Sequence, residues 1–508
     1  MNKKQYSAVI DIGSNASVLA IANIRDGKAT LVERIKQIFP LGIDTYKYGS
    51  ISQRNIELLL EILTDFKRKL KEYPAMPLDI VSTSAVNEAA NKILVKERVR
   101  EVFGQDMEVL TGPEEAALLQ LGLRVQFPEF EQLKEEGLLV LDLGYGSIQL
   151  TQYHRGKLVF TQNILLGSLR VNSILAELEQ HSANYRELMT EYISGDLAYF
   201  KSFQPKRTVC RHLVMTGFGL DYWRTVLDLP MKGTVKFQKR DFIPLQEKLS
   251  ADGIKALHDT VIPSEDLAHM LPMAIVMRGV LDFLDVDEAY LSSVNLDDGV
   301  VIRRAIEDGL IVPSFDPADH TIQCARQMAK RFRTDKRHVE HVERLSLSVF
   351  DQMAEVHRLG KRERLILQVG AILHNVGKYV TMHNDSSLNY HMIHSADLIG
   401  LSPEDLEMVA LLGRYHNNNW DDSVVLERLS ESEKLILFKL SAILEIANAM
   451  DAGHQQKIRR VDLKISRSKV RFRIRTSKDH ALESWAFNRH TRTFEEVFGR
   501  KPILIDDL

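Results

Sequence analysis

Apolar residues recur along this chain with two periods, and the places where the period changes divide it into segments. Val9-Ile-Asp-Ile-Gly13 is an apolar strand ending in a small-residue turn, after which Val18 and Leu19 resume a strand. Ala29 to Ile35 reads as a third strand, followed by a polar loop to Ser50. From Ser52 to Glu72 the apolar positions Ile56, Leu59, Leu60, Ile62, Leu63 and Phe66 fit a helix with one buried face. Leu78 to Ala85 reads as a strand that leads into a helix, and Met107 to Gly112 as another strand. Strands alternating with helices predict a mixed α/β domain.

The acidic, polar stretch Phe127 to Gly137 marks a first boundary, and Ile311 to Asp319, with two prolines, reads as a linker. From His320 to about Met450 nearly everything has helical period. Beyond it, Val461 to Ile465 and Val470 to Ile474 alternate apolar with polar residues, which predicts a β-hairpin with one buried face. The expected segments are therefore 1–130, 131–312, 313–448 and 449–508.

One pattern occurs twice. Val9-Ile-Asp-Ile-Gly-Ser-Asn15 leads into Ala16-Ser-Val-Leu19, and Val140-Leu-Asp-Leu-Gly-Tyr-Gly-Ser147 leads into Ile148-Gln-Leu150. Glycine and serine at such turns let backbone N–H groups converge on an anion, and the strand-end Asp11 or Asp142 can hold a cation or water against it. Two such hairpins facing one another across a cleft form a phosphate clamp, which points to phosphoanhydride chemistry.

A net charge of −3 argues against a generic nucleic-acid binder, so any polyanion site has to be local. Two isolated cysteines, Cys210 and Cys324, suit a reducing compartment. Without an apolar leader or a run of eighteen apolar residues, a cytoplasmic protein with no membrane segment is expected.

Thr111-Gly-Pro-Glu-Glu-Ala116 is a strand exit followed by a helix that opens on two carboxylates. Glu114 suits a cap of the helix start. Glu115 is the candidate to accept a proton from a water attacking a terminal phosphorus, or to position that water through Mg²⁺.

These segments, with Ser82-Thr-Ser-Ala-Val-Asn-Glu-Ala-Ala-Asn91 and Leu166-Gly-Ser-Leu-Arg170, stand in the order found in the exopolyphosphatase and guanosine pentaphosphate phosphohydrolase family, within the actin-like ATPase superfamily. The resemblance covers essentially the whole chain. It implies two actin-like (ribonuclease H-like) α/β lobes, an all-α HD-like domain and a small α+β C-terminal domain. It also implies an enzyme that releases terminal phosphate from inorganic polyphosphate or pppGpp, with Mg²⁺, as a homodimer. The residues it brings forward are Glu115 and Gln149 for catalysis, and Asp11, Asp142 and Glu115 for the metal. Gly13, Ser14, Asn15, Gly144, Gly146, Ser147, Gly167, Ser168 and Arg170 are brought forward for phosphate.

The chain departs from the family pattern at defined places. Tyr145 stands at the middle glycine of the second hairpin, and Ile148-Gln149 replaces Thr-Glu. Asn87 stands where an arginine is usual, and Asp297 brings an acid to a later motif. A glutamine can orient water but cannot act as a base. These positions favour a second reading, a polyphosphate or alarmone binder with weakened catalysis.

Leu373-His-Asn-Val-Gly-Lys378 resembles the His-Asp signature of metal-dependent phosphohydrolases, with His338 at the first ligand position. Asn375 replaces the metal-bridging Asp, so no working metal centre is expected, and His383, His391, His394 and His416 are expected in packing, capping or polyanion contact. Lys457 to Arg475 concentrates nine cations against Asp462 alone. Arg467, Lys469, Arg471, Arg473 and Arg475 are the candidates to guide a polyanion. Met215-Thr-Gly-Phe-Gly219 reads as an ordinary tight turn between a strand and a helix.

Overall fold

The structure, a computed structural model, describes residues 5–203, 210–253, 262, 264–381, 386–416, 426–476 and 478–506. They form two compact units, Met1–Pro317 and Ala318–Leu508.

The first unit holds two sheets. Strands β1 (Gln5–Ile12), β2 (Ala16–Arg25), β3 (Lys28–Ile38), β4 (Leu78–Ser82) and β5 (Glu108–Val109) lie in the order β3-β2-β1-β4-β5. The second sheet contains β6 (Leu138–Leu143), β7 (Ile148–His154), β8 (Lys157–Ile164), β9 (His212–Gly217), β10 (Thr234–Gln238) and β11 (Glu288–Ser292), in the order β10-β11-β9-β6-β7-β8. In each, three strands form an antiparallel meander and the next pairs in parallel with the first, β4 with β1 and β9 with β6. The repeated hairpin is thus the visible part of a duplicated sheet, and two such sheets make an actin-like α/β fold.

Strand β1 carries apolar residues on both of its faces, Ala8, Ile10 and Ile12 on one and Val9 on the other, because helices cover both. Ala8, Ile10 and Ile12 pack with Leu59, Leu63 and Phe66 of the helix Gln53–Leu70, whereas Val9 faces Leu118, Val300 and Val301 on the opposite side. The helix Leu296–Glu307 therefore packs with the first sheet, although it follows the last strand of the second. Its Val300, Val301, Ile302 and Ala305 complete a core that the first lobe cannot close alone. It crosses the helix Gly112–Gln126 closely, and a Cβ on Gly299 would lie 2.1 Å from Leu118 O. The expected loop to Ser50 also contains a helix, Gly42–Tyr48. Gly49, at φ 75°, ends it, and Asp44 ties it to the next helix through Ser52 N and Asn55 Nδ2, both at 2.8 Å.

The helix Ser264–Leu284 is long and apolar enough to cross a membrane from Asp266 onward. Its apolarity is accounted for by packing: Met270, Met273, Ala274, Met277 and Leu281 are buried in the core of the second lobe.

In the second unit, helices from Asp319–Arg331 to Glu431–Ala449 precede a three-stranded sheet of β12 (Arg460–Ile465), β13 (Lys469–Arg475) and β14 (Lys501–Asp506). β12 and β13 are the expected hairpin. β14, in parallel with β13, was not legible because its six residues alternate only weakly. Val470, Phe472 and Ile474 are buried beneath Phe487 and Phe494 of the helix Ala481–Phe498, which leaves Arg473 and Arg475 exposed and Arg471 partly so.

Candidate active site

The two hairpins turn in the same way. Gly13 N donates to Ala16 O at 2.9 Å, and Gly144 N to Ser147 O at 3.0 Å. In register, Asp11 lies opposite Val18 and Asp142 opposite Gln149, so Gln149 occupies in the second lobe the place of an apolar residue in the first. Both turns open on one cavity of about 300 Å³, lined by Asp11, Gly13 and Ser14 from one hairpin and Asp142, Gly144, Gly146, Ser147 and Gln149 from the other. The turns are closely opposed. A Cβ on Gly146 would stand 2.2 Å from Tyr46 Oη and 2.3 Å from Ser84 Oγ, which with Ser14 Oγ form a triangle of hydroxyls at 2.7–3.0 Å.

Glu115 enters the same cavity because Glu114 is committed elsewhere. Thr111 N and Oγ1 both donate to Glu114 Oε2, at 2.8 and 2.7 Å, and this cap fixes the first turn of the helix so that the next carboxylate points inward. Burial, with Asp142 and Asp11 nearby, holds the Glu115 carboxyl well above the usual carboxylate range. Burial pushes Asp142 up to about 7. It does the same for Asp11, where Asp297 adds to the effect and Arg34 opposes it. Asp11 Oδ1 and Gln149 Oε1 are buried without a hydrogen-bond partner, while Gln149 Nε2 donates to Thr161 Oγ1 at 2.7 Å.

The lining carries five carboxylates, Asp11, Glu115, Asp142, Asp221 and Asp297, against two cations, Arg34 and Lys36. An anionic substrate requires added positive charge here. Among the described residues no three His, Cys, Asp or Glu side chains converge closely enough to enclose a metal ion. Mg²⁺ does not need such a cage, since it keeps several waters and is commonly held by one or two carboxylates together with phosphate oxygens. The orphaned Asp11 oxygen and the neighbouring Asp142 and Glu115 fit that demand.

Four residues expected at the phosphate lie off the cavity lining. Gly167 and Ser168 begin the helix Ser168–His181, but its first N–H groups are already spent on the second hairpin, Ser168 N on Gly144 O and Leu169 N and Arg170 N on Tyr145 O. The Arg170 guanidinium donates to Gly146 O at 2.6 Å and to Glu88 at 2.5 Å, and stacks on Tyr46 at 3.9 Å. Asn15 is buried beside Tyr145. These side chains brace the clamp.

The departures from the family pattern have physical partners. Tyr145 is buried, its ring lying 3.6 Å from that of Phe218 and its hydroxyl donating to Asp266 at 3.1 Å. Asp297 is paired with Arg34 at 2.7 Å. Asn87 does not reach the lining. The turn Gly217-Phe-Gly219 is more than the expected ordinary turn, because all three residues line the cavity. Arg34 and Lys36 escaped notice in the sequence, although their alternate positions on one strand were a usable signal.

The sequence model of the Ppx/GppA phosphatase family matches residues 20–188, and that of its domain III matches residues 322–490. The chain belongs to the Ppx/GppA phosphatase family. Among its relatives is the guanosine-5'-triphosphate,3'-diphosphate pyrophosphatase of Aeromonas hydrophila, 22% identical over 437 residues and matched over 81% of each chain. The protein of the same name from Vibrio campbellii is 21% identical over 405 residues, 77% of each chain. Among solved structures, a Ppx/GppA family member of Aquifex aeolicus has a TM-score of 0.51 at 18% identity, covering 60% of this chain and 99% of its own. An exopolyphosphatase from Cytophaga hutchinsonii has a TM-score of 0.52 at 20% identity, covering 61% and 100%. These two share the fold.

The Ppx/GppA domain III match falls on the histidine-rich helices, and there the geometry accounts for Asn375. His338 Nδ1 lies 2.9 Å from Asp451 Oδ2, His374 Nε2 lies 3.3 Å from His338 Nε2, and Asn375 Nδ2 lies 2.8 Å from His374 Nε2. The asparagine amide thus occupies His374 Nε2, the atom a metal would take. His416 is buried with Nδ1 2.8 Å from Gly413 O, whereas His394 is paired with Glu407 at 3.1 Å near the surface. His383 lies outside the described residues.

Proposed function

We propose that this Ppx/GppA family member is an exopolyphosphatase-like phosphohydrolase that removes terminal phosphate from inorganic polyphosphate. The observation that carries the reading is the pair of matched hairpins opening on one cavity that Glu115 and both hairpin aspartates line together. Backbone N–H groups at the two turns, with the Ser14 and Ser147 hydroxyls, cradle the terminal phosphate. Gln149 offers its unpartnered Oε1 to a water and holds its orientation through Thr161. Glu115, once ionised, accepts that water's proton as it attacks the phosphorus.

Asp11, Asp142 and Glu115 are the residues to hold Mg²⁺, which when bound neutralises phosphate oxygens and the local excess of acid. With a cation held there, all three carboxylates would be ionised more readily than burial alone allows. In the second unit, an HD-like helical domain without metal and a small C-terminal domain complete the proposed architecture. Arg467, Lys469, Arg471, Arg473 and Arg475 form a cationic strip suited to guiding polyphosphate. A cytoplasmic homodimer is the assembly proposed.

The test is phosphate release from polyphosphate with Mg²⁺, comparing the chain with Glu115→Ala. Release that the substitution abolishes supports the reading; no release from the unsubstituted chain, with binding intact, leaves the binder. A second substrate, pppGpp, is favoured by Tyr222 in the lining, an aromatic ring against which a base could pack, and by the names of the curated relatives. Faster release from pppGpp than from polyphosphate decides for it.

A further inference from the structure

The two cations of the cavity are held in different ways. Arg34 is fixed: Nε and Nη2 donate to Asp297 Oδ2 at 3.0 and 2.7 Å, and Nη2 also reaches Asp298 at 3.2 Å. Those acids open the helix Leu296–Glu307, where Asp298 also caps Asn295 N at 2.9 Å, so the guanidinium is built into the fold. Lys36 is held loosely. Its Nζ stands 3.5 Å from Asp266 Oδ2, beyond the ~2.7–2.9 Å of a charge-assisted hydrogen bond, and 4.2 Å from the centre of the Phe218 ring. Its side chain is 32% exposed, whereas that of Asp266 is fully buried.

Asp266 does not depend on the lysine. Tyr145 donates to its Oδ1 and Tyr222 to its Oδ2, so both oxygens keep a hydrogen bond when Lys36 leaves. Releasing the lysine therefore leaves no Asp266 oxygen without a hydrogen-bond donor. A lysine also suits the task, being a point charge on a flexible stem with three rotatable donors. The departure at Tyr145 thus acquires a role, because its hydroxyl makes Asp266 a self-sufficient resting place for a mobile cation.

We propose that Lys36 is the residue that grips substrate phosphate in this cleft, resting on Asp266 and Phe218 until a phosphate group takes it over. It supplies the charge that Asn87, uncharged and away from the lining, does not. The inference rests on the phosphohydrolase reading of the same cavity.

The test is calorimetric titration of the full chain with tripolyphosphate and Mg²⁺ at two salt concentrations, the short probe limiting any contribution from the arginine-rich strand β13. Lys36→Met should weaken binding at least 10-fold and flatten its salt dependence, while Lys36→Arg should stay within about 3-fold of the parent and show that the fold survives. Asp266→Asn should tighten binding several-fold, and this gain should vanish in combination with Lys36→Met. Unchanged affinity and salt dependence in Lys36→Met overturn the assignment while leaving the phosphohydrolase reading standing. If the unsubstituted chain binds no tripolyphosphate, the reading of the cavity falls and this inference falls with it.

Discussion

Asp142→Asn should stabilise the metal-free protein, and increasingly so as the pH rises. Burial pushes the Asp142 carboxyl up to about 7 from an ordinary 3.8. Between those values the folded chain holds a proton that the unfolded chain has lost, so stability falls as the pH climbs from about 4 to 7 and stays low above it. A shift of about three units at ~1.4 kcal/mol each sets an upper bound of about 4 kcal/mol, which water in the cavity reduces to about 2 kcal/mol. Asparagine keeps the shape and removes the charge. In EDTA the variant should therefore be nearly level with its parent at pH 4 and melt roughly 3–5 °C higher at pH 8. Thermal unfolding of the full chain at the two pH values checks this. A difference independent of pH, or a variant less stable than its parent at pH 8, refutes the reasoning.

Other consequences follow from close contacts and single bonds. Gly299→Ala places a Cβ 2.1 Å from Leu118 O and should cost about 2–3 kcal/mol of stability by forcing two crossed helices apart, read as a lowered melting temperature. Gly195→Ala, on the exposed side of the helix Tyr185–Phe203 with nothing within 4 Å, should instead raise stability by about 0.5–1 kcal/mol. Tyr145→Phe removes one of the two hydroxyl donors to buried Asp266 and should destabilise by about 1–2 kcal/mol in chemical denaturation. Arg473→Glu with Arg475→Glu should weaken long-chain polyphosphate binding and flatten its salt dependence, without moving the affinity for tripolyphosphate.

Much of the first unit could be read from the chain because its elements obey local rules. The apolar residues of β1 and the single buried face of the helix Gln53–Leu70 follow from periodicity, as does the alternation of β13 in the second unit, and the structure bears them out. The helix Leu296–Glu307 could not be placed, since which sheet it covers is decided by Val9, Leu118 and Val301 meeting across long sequence separations. The site divides along the same line. The carboxylates and turn glycines of the two hairpins were legible as motifs, and they do line one cavity. Arg170 and Ser168 were brought forward by the family motif alone, and nothing local reveals that the second hairpin's own carbonyl groups already occupy the helix terminus on which they stand. Lys36 and Asp266 come together only through the tertiary fold.

The central claim is that water held at Glu115 attacks a terminal phosphorus between the two hairpins. The most direct test is hydrolysis of polyphosphate with Mg²⁺ in ¹⁸O-labelled water, with the released phosphate analysed by mass spectrometry for the chain and for Glu115→Gln. The account predicts one labelled oxygen per phosphate released and a loss of release of at least about 100-fold in the variant. Phosphate released without label, or released equally by the variant, would contradict it.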